Sequence, residues 1–218
     1  MLSHDFFPKT LAERCNLWRM TAIGYEPFWR RFSSSLLSGN NWSLENECDH
    51  MLNLLQAEEG EYIMDAGCST GLYARSILDI QPDAFIILTD YSHAMLSKAM
   101  DYMPENKNAA YLQCDAANTP IVSGKLDGVV MGGTLNELTN PETVFSEIAR
   151  LLKSDGRAVV MYLAGKEQSN SVFHRLLSGA GVWIPGRNYV HQLFDKTGFL
   201  VKEERGAGLM RIARLQLK

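Results

Sequence analysis

The sequence is poor in cysteine motifs. Its four cysteines, at positions 15, 48, 68 and 114, form no C-x-x-C pair, and no histidine lies at a spacing that would complete a zinc site. A disulfide-stapled domain and a zinc-stabilised domain are therefore not indicated. A reduced, cytoplasmic protein without a bound metal fits this pattern best.

Long apolar runs and an excess of basic residues are also missing. The longest apolar stretches, AFIIL and AVVMYLAG, fall far short of the roughly 18–20 residues that cross a bilayer, and the amino terminus lacks the apolar core of a secretory signal. Lys and Arg number 21 against 25 Asp and Glu. We expect no membrane span and no nucleic-acid partner, because binding to phosphates requires a concentrated positive surface.

What the sequence does have is ample material for a packed core. Its 218 residues are 46% hydrophobic and include no low-complexity tract, which is typical of one good-sized globular α/β domain. We expect this protein to act on a small molecule, as a monomer or a homodimer.

Short β-rich runs alternate with segments of helical period from residue 62 onward. Such alternation predicts βαβ units and a mostly parallel sheet. The predicted strands are Tyr62–Ala66, Ala84–Thr89, Ala110–Cys114, Leu126–Met131 and Ala158–Leu163, and the predicted helices are Leu72–Ile80, Ala94–Tyr102 and Pro141–Leu152. Two later runs, Phe199–Arg205 and Leu209–Leu217, flank a Gly-Ala-Gly turn and predict an antiparallel hairpin that closes the sheet.

The first sixty residues have a different character. They contain helix candidates rich in large aromatics, at Thr10–Ile23, Pro27–Leu37 and Leu44–Gln56. We predict that residues 1–60 form a helical lid and residues 61–218 the α/β domain, with residues 166–192 as an insertion on the substrate side. The lid and the segment Val172–Tyr189 are expected to close over the carboxyl edge of the sheet and form an apolar pocket.

Acidic residues lie at the ends of the first three strands. Asp65 opens the loop DAGCSTG, whose glycines permit close approach of a ligand to the backbone. Asp90 lies 19 residues after Gly71, near the roughly 20-residue offset at which a carboxylate binds ribose hydroxyls. Asp115 follows the third strand. Taken singly, the loop is also compatible with a tight turn and Asp90 with a helix cap, but the three acids form one pattern.

These residues resemble the class I S-adenosylmethionine-dependent methyltransferases, in the ubiquinone/menaquinone-biosynthesis-like branch (methyltransferase domain 11/25 type). The loop DAGCSTG resembles the first motif of the family, Asp90-Tyr91-Ser92 its ribose-binding strand end, and Asp115-Ala116 its adenine-edge motif. The match covers about residues 62–163.

This resemblance implies an α/β fold, with a Rossmann-like seven-stranded sheet, helices on both faces and an antiparallel carboxyl-terminal hairpin. It implies S-adenosylmethionine as the cofactor. The residues expected to hold it are Tyr25, Asp65, Ala66, Gly67, Cys68, Ser69, Gly71, Asp90, Tyr91, Met95, Asp115, Ala116, Met131 and Gly132.

Two departures from the family pattern bear on function. Ser69 replaces the middle glycine of the loop, which is tolerable if its φ stays negative. The Asp/Asn-Pro-Pro-aromatic signature is absent after the fourth strand, where the sequence is MGGTLNE. Amide and adenine-amine acceptors are therefore disfavoured, and a small apolar or aromatic acceptor is expected. Cys68 lies at a predicted helix N-terminus, which lowers a thiol pKa, but we expect no nucleophilic role for it.

The acceptor is expected to meet residues of the lid and of the loops after strands four and five. The candidates are Tyr25, Trp29, Asn136, Glu137, His174 and Trp183. Of these we predict Asn136, Tyr25 and His174 as catalytic residues, although tryptophans here also fit core packing and a lone histidine also fits a surface position. A general base is needed only if the acceptor is protonated at neutral pH.

Two other functions are compatible with parts of this pattern. A nicotinamide-dependent oxidoreductase shares the first strands of the sheet, but its fingerprint requires G-x-G-x-x-G, and Ser69 occupies the second of those glycine positions. A non-catalytic protein that binds S-adenosylmethionine would keep the loop and the acids but lack an acceptor site.

Overall fold

The computed structural model of the chain describes residues 30–103, 107–165, 179 and 182–218. The predicted helix Thr10–Ile23 lies outside the described residues, as do Tyr25, Trp29 and His174.

Seven strands form one sheet in the order β3-β2-β1-β4-β5-β7-β6. The strands are β1 (Tyr62–Ala66), β2 (Phe85–Asp90), β3 (Ala109–Gln113), β4 (Leu126–Gly132), β5 (Leu152–Leu163), β6 (Phe199–Ala207) and β7 (Met210–Leu217). Strands β1 to β5 are parallel, whereas β7 runs antiparallel to both β5 and β6. The predicted fold class is confirmed.

Helices cover both faces of this sheet. They are α1 (Arg31–Leu37), α2 (Leu44–Leu55), α3 (Leu72–Ile80), α4 (His93–Tyr102), α5 (Pro141–Leu151) and α6 (Arg187–Lys196), with a 3₁₀ turn at Thr134–Glu137. Within the described residues, every helix is too short or too polar to span a bilayer. Strand β1 lies between β2 and β4, so the strand order reverses at β1. Open α/β sheets bind ligands at such a point.

Helix α2 packs on a face of the sheet and is not part of a lid. Its buried side chains Met51, Leu54 and Leu55 share one core cluster with residues of β1, β5 and β7. Ser43 caps its start by accepting a hydrogen bond from the Asn46 amide. The predicted lid therefore does not extend through residues 44–55. An amphipathic helix has one apolar stripe whether it covers a sheet face or a sheet edge, so the pattern does not distinguish the two.

Helix α1 lies at the carboxyl edge of the sheet. The amide of Leu209 donates to the Leu37 carbonyl at 2.9 Å, and the Ala164 amide donates to the Leu209 carbonyl at 2.9 Å. Because Leu163 is the last residue of β5 and pairs with Met210, these bonds join α1 to the end of β5 through the β6–β7 turn. This is the region where we predict the lid.

Helix α6 is a face helix that the sequence pattern does not predict. Its Phe194 packs against Phe145 of α5, with ring centroids 5.0 Å apart, and against Tyr162 of β5 at 5.9 Å. Residues 187–192 therefore belong to a helix that covers a face of the sheet, and not to the predicted insertion 166–192. The segment RNYVHQLFDK buries only Val190, Leu193 and Phe194, which leaves a weak helical signal.

Strand β5 begins six residues before the predicted start at Ala158. Leu152 pairs with Leu126, and pairing then resumes at Arg157 with Gly128 after an irregularity in register. The sequence around Gly156 resembles a turn between helix and strand. In the structure the chain bends there at a β-bulge, and the strand continues through it.

At the amino edge of the sheet, Arg157 ties three segments together. Its guanidinium donates to both carboxylate oxygens of Glu61, at 2.6 and 2.7 Å, and to the carbonyls of Leu55 and Gln56. Those two carbonyls lie at the end of α2, where a helix leaves its last carbonyls unpaired. The Arg157 side chain thus closes α2 onto β1 and β5.

Candidate cofactor and acceptor site

The loop between β1 and α3 turns sharply at the carboxyl edge. Gly67, Ser69 and Gly71 all have left-handed backbone conformations, with φ of 68°, 49° and 77°. Glycine is required at position 67 also by close packing, because a Cβ atom there would lie 2.4 Å from Oγ1 of Thr134. The Thr134 side chain comes from the loop after β4, so this contact brings the two loops together at the β1–β4 boundary.

Ser69 differs from the expectation that its φ would be negative. A non-glycine residue in the left-handed region is uncommon and strained. The amide of Ser69 donates to Asp90 Oδ2 at 2.8 Å, which fixes the loop in this conformation. The serine thus has a backbone conformation that glycine adopts more readily.

Asp90 clamps the loop to the end of β2. Its Oδ1 accepts from the Ser92 amide at 2.8 Å, and its side chain is buried. The cap of α4 is Ser92, whose Oγ accepts from the Met95 amide, so Asp90 is not the cap of that helix. Burial raises the pKa of the Asp90 carboxyl to about 6, against hydrogen bonds from Ser92 and Ser69 that lower it. An ionised carboxylate has about four acceptor sites, and the amides of Ser92, Ser69 and Tyr91 use three of them, so capacity for a ligand hydroxyl remains.

Asp65 ends β1 without any solvent exposure. Its Oδ2 accepts from the Ala74 amide in the first turn of α3, at 3.2 Å. Within the described part of the chain, its Oδ1 has no hydrogen-bond partner. Burial raises the pKa of this carboxyl to about 7. A buried carboxylate oxygen without a partner is unusual in a protein, and it lies where the resemblance implies a cofactor.

Asp115 lies at the end of β3, on a loop that α5 holds in place. Asp115 Oδ1 accepts from the Ala117 amide at 2.8 Å and remains exposed. Glu147 accepts from the amide and from the hydroxyl of Thr119, both at 2.8 Å, and from Arg150. The Arg150 guanidinium lowers the pKa of Glu147 to about 2, so this anchor is ionised at neutral pH.

The three strand-end acids thus occupy neighbouring positions at one sheet edge. Ala66 pairs with Thr89, and Asp90 with Gln113, so the residues after β1, β2 and β3 follow one another across the sheet. Left-handed glycines, a shared carboxylate clamp and an unpaired carboxylate oxygen fit a nucleoside that carries hydroxyl and amine donors. That these residues hold S-adenosylmethionine stays a prediction.

Other residues predicted to hold the cofactor differ in their exposure. Tyr91, Ala116 and Gly132 are half-buried at the edge, whereas Met95 and Met131 are buried. Cys68 is buried, and burial raises the pKa of its thiol well above the usual range, which corrects the expected effect of the helix N-terminus.

The side chain of Asn136 is buried and hydrogen-bonded to the backbone, which is not the position expected of a catalytic residue. Its Oδ1 accepts from the Leu163 amide at 2.7 Å, and its Nδ2 donates to the carbonyls of Leu163 and Trp183 at 2.8 and 2.6 Å. These bonds use both amide donors, and the side chain is 2% exposed. The contacts make Asn136 a positioning residue that holds the segment after position 181 against the end of β5. We do not carry its predicted catalytic role further.

Sequence analysis missed a buried cluster beside the loop, formed by Arg30, Glu47 and Tyr73. These residues are far apart in the chain, and no short motif joins them. The only available signal was Tyr73, two positions after Gly71.

Comparisons with known proteins agree with this geometry. A methyltransferase domain family matches residues 64–160. The malonyl-[acyl-carrier protein] O-methyltransferase of Geobacter sulfurreducens is 34% identical over 156 residues, which are 68% of this chain and 56% of that protein. The demethylmenaquinone methyltransferase of Chlamydia pneumoniae is 23% identical over 208 residues, 84% of this chain and 81% of that protein. This chain therefore spans little more than half the length of the first of these relatives.

Among solved structures, a SAM-dependent methyltransferase from Aquifex aeolicus superposes with a TM-score of 0.67. The match covers 91% of this chain and 97% of that one at 15% identity, and so bears on the fold alone. The domain match, the curated relatives and the strand-end motifs together give one conclusion. Residues 64–160 carry a methyltransferase domain of the S-adenosylmethionine-dependent class.

Proposed function

We propose that this chain transfers a methyl group from S-adenosylmethionine to a small, apolar or aromatic acceptor by in-line displacement. The observation that carries the proposal is a division of the carboxyl edge into two parts. Polar cofactor motifs follow β1, β2 and β3, whereas exposed apolar side chains surround the ends of β4 and β5.

The apolar part of the edge is a rim made by two separate segments. Phe32 and Leu36, one helical turn apart on α1, are 61% and 47% exposed. Trp183 and Tyr189, whose rings meet edge to face with centroids 5.0 Å apart, are 36% and 46% exposed. Four of the ten large apolar side chains that are exposed in the described residues belong to this rim, and an apolar patch at a sheet edge marks a binding surface. An apolar or aromatic acceptor would cover them.

The names of the two curated relatives support a shared cofactor site with a variable acceptor site. One is named for a malonyl group on an acyl-carrier protein and the other for demethylmenaquinone. Function in such folds is set by the residues around the site, and here those residues form the apolar rim.

The chain's residues would act mainly by holding and orienting the reactants. S-adenosylmethionine supplies, when bound, a methyl group already activated by its sulfonium. Asp90 would accept hydrogen bonds from the ribose hydroxyls of the cofactor. The loop at Gly67–Gly71 would hold the other end of the cofactor. Asn136 holds Trp183 of the apolar rim in place, because its side chain donates to the carbonyls of Leu163 in β5 and of Trp183. Alignment of this kind lowers a barrier by as much as about 7–11 kcal/mol.

The setting we propose is a reducing one, namely the cytoplasm. The three described cysteines, at positions 48, 68 and 114, are free thiols. The net charge of −4 favours a small-molecule acceptor over a nucleic acid.

Binding of the product S-adenosylhomocysteine is expected to weaken as the pH falls through about 6. Asp90 has a pKa raised to about 6, and only its ionised form accepts hydrogen bonds at both oxygens from ribose hydroxyls. The ligand therefore binds the deprotonated protein more tightly, and its affinity falls by up to about tenfold per pH unit below the pKa. Calorimetry between about pH 5 and pH 8 measures this dependence. An Asp90→Asn variant should give a flatter profile, and a wild-type affinity that does not change with pH would contradict the assignment.

The direct test of the proposed function is transfer of a labelled methyl group from S-adenosylmethionine to a panel of candidate acceptors. The panel should include quinols, phenols, carboxylic acids and acyl-carrier thioesters. Labelled apolar product with wild-type protein, and much less with Asp90→Ala at the same subsaturating concentration of S-adenosylmethionine, is the expected result. Tight binding of S-adenosylhomocysteine without transfer to any panel member would favour the non-catalytic binding protein.

A further inference from the structure

A buried cluster of polar side chains lies beside the cofactor loop. Arg30 Nη2 donates to Glu47 Oε1 at 2.6 Å and to the Tyr73 hydroxyl oxygen at 2.8 Å. The Tyr73 hydroxyl donates to the same Glu47 oxygen, and Ser34 Oγ donates to Glu47 Oε2 at 2.6 Å. Glu47 has no solvent exposure, and the other three residues are at most 8% exposed. Both oxygens of the Glu47 carboxylate therefore accept hydrogen bonds.

Stability alone gives no reason for a charged pair at this position. Apolar residues of similar volume commonly give equal or greater stability than a buried ion pair. The buried pair Arg157–Glu61 has a structural explanation, because Arg157 also binds the carbonyls at the end of α2. The Arg30 guanidinium, in contrast, contacts the side chains of Glu47 in α2 and Tyr73 in α3.

The cluster reaches the boundary between β1 and β4 through Tyr73. The Tyr73 ring lies directly against Gly132, the last residue of β4, where an added Cβ atom would be 1.9 Å from Tyr73 Cε2. The next residue, Ala74, donates its amide to Asp65 at the end of β1. Burial raises the pKa of Asp65, and the guanidinium groups of Arg75 and Arg30 oppose this effect. Through the Tyr73 side chain, the Arg30 guanidinium is thus linked to the boundary between β1 and β4.

This boundary separates the cofactor motifs of β1, β2 and β3 from the acceptor side at β4 and β5, so the transferable group would lie near it. S-adenosylmethionine carries a positive sulfonium there, whereas the product S-adenosylhomocysteine carries a neutral thioether and is otherwise alike. A net positive charge at the boundary would oppose binding of the first ligand and have little effect on the second.

We propose that Glu47 is a positioning residue that neutralises Arg30 at this boundary and thereby sets the preference of the site for S-adenosylmethionine over S-adenosylhomocysteine. The inference rests on the cofactor use proposed above and requires no knowledge of the acceptor. The hydroxyls of Tyr73 and Ser34 hold the carboxylate so that its charge stays next to Arg30.

The test is the ratio of the two dissociation constants, measured by calorimetry on the full chain. Glu47→Gln removes the negative charge beside Arg30 and should weaken S-adenosylmethionine about tenfold, or about 1.4 kcal/mol, with S-adenosylhomocysteine changed by less than about twofold. Arg30→Met should shift the ratio in the opposite direction. The double variant Arg30→Met/Glu47→Met removes both charges, and its ratio should stay within about threefold of wild type.

Glu61→Gln is the matched control, because it breaks a buried Arg–Glu pair at the opposite edge of the sheet. It should leave the ratio unchanged even where it lowers stability. Equal weakening of both ligands by Glu47→Gln would show a structural role only and overturn the proposal, as would a similar shift in Glu61→Gln. If Glu47→Gln does not fold, the opposite shift in Arg30→Met and its reversal in the double variant decide the question. A wild-type protein that binds neither ligand would overturn the proposed function as well, whereas normal binding with an unchanged ratio would overturn this inference alone.

Discussion

Replacement of Asp90 by alanine is expected to weaken S-adenosylhomocysteine binding roughly 30- to 150-fold, which corresponds to about 2–3 kcal/mol. The carboxylate would lose its hydrogen bonds to the ribose. It would also release the Ser69 amide, whose bond to Asp90 Oδ2 measures 2.8 Å. Because Ser69 has a φ of 49°, the loop without this bond would relax away from the bound geometry. Calorimetry with the purified variant measures the loss.

Two further variants separate ligand contact from loop order. Asp90→Asn keeps the shape and one acceptor oxygen, so its loss should be smaller than that of the alanine variant. Asp101→Ala, at an exposed position in the same helix that follows β2, should bind as wild type does. Normal affinity in Asp90→Ala would contradict the assignment of Asp90 to the ribose.

Replacement of Arg157 by alanine is expected to lower the free energy of unfolding by about 3–5 kcal/mol. The change leaves Glu61, whose side chain is only 15% exposed, without its guanidinium partner and uncovers the carbonyls at the end of α2. Breaking such a pair from one side is costly because the remaining charge keeps its desolvation penalty. Chemical denaturation of the variant and wild type gives the difference.

A surface arginine supplies the comparison for this effect. Arg205 pairs with Glu203, and both side chains are at least 35% exposed, so Arg205→Ala should change stability by less than about 1 kcal/mol. Arg157→Met, which keeps the apolar stem, should recover part of the loss. A change below about 1 kcal/mol in Arg157→Ala would show that the network at the amino edge is dispensable.

The sheet could be predicted from sequence because its strands are continuous apolar runs with clear ends. Tyr62–Ala66 and Leu72–Ile80 have the predicted bounds, since a hydrophobic period and a glycine turn define both. Helix α6 could not be predicted in the same way because only three of its ten residues are buried. The position of α2 depends on which surface its apolar stripe meets, and that is decided by tertiary packing.

In the candidate site, too, some features could be predicted from local sequence and others could not. Asp65, Asp90 and Asp115 could be placed together because strand ends of a parallel sheet share one edge. The left-handed φ of Ser69, the hydrogen bonds of Asn136 and the pairing of Arg30 with Glu47 depend on contacts between distant segments. Short motifs hold no information on such contacts, so the catalytic role predicted for Asn136 gave way to a positioning role.

The central claim is that the loop at Gly67–Gly71 and the carboxylate of Asp90 together bind S-adenosylmethionine, with Asp90 on the ribose. A crystal structure of the full chain grown with S-adenosylhomocysteine tests it most directly. The account predicts ligand density at the carboxyl edge between β1 and β2, with both ribose hydroxyls within hydrogen-bond distance of the Asp90 oxygens and the thioether facing the β1–β4 boundary. Density that places the ribose away from Asp90, or a ligand bound at another edge of the sheet, would contradict it.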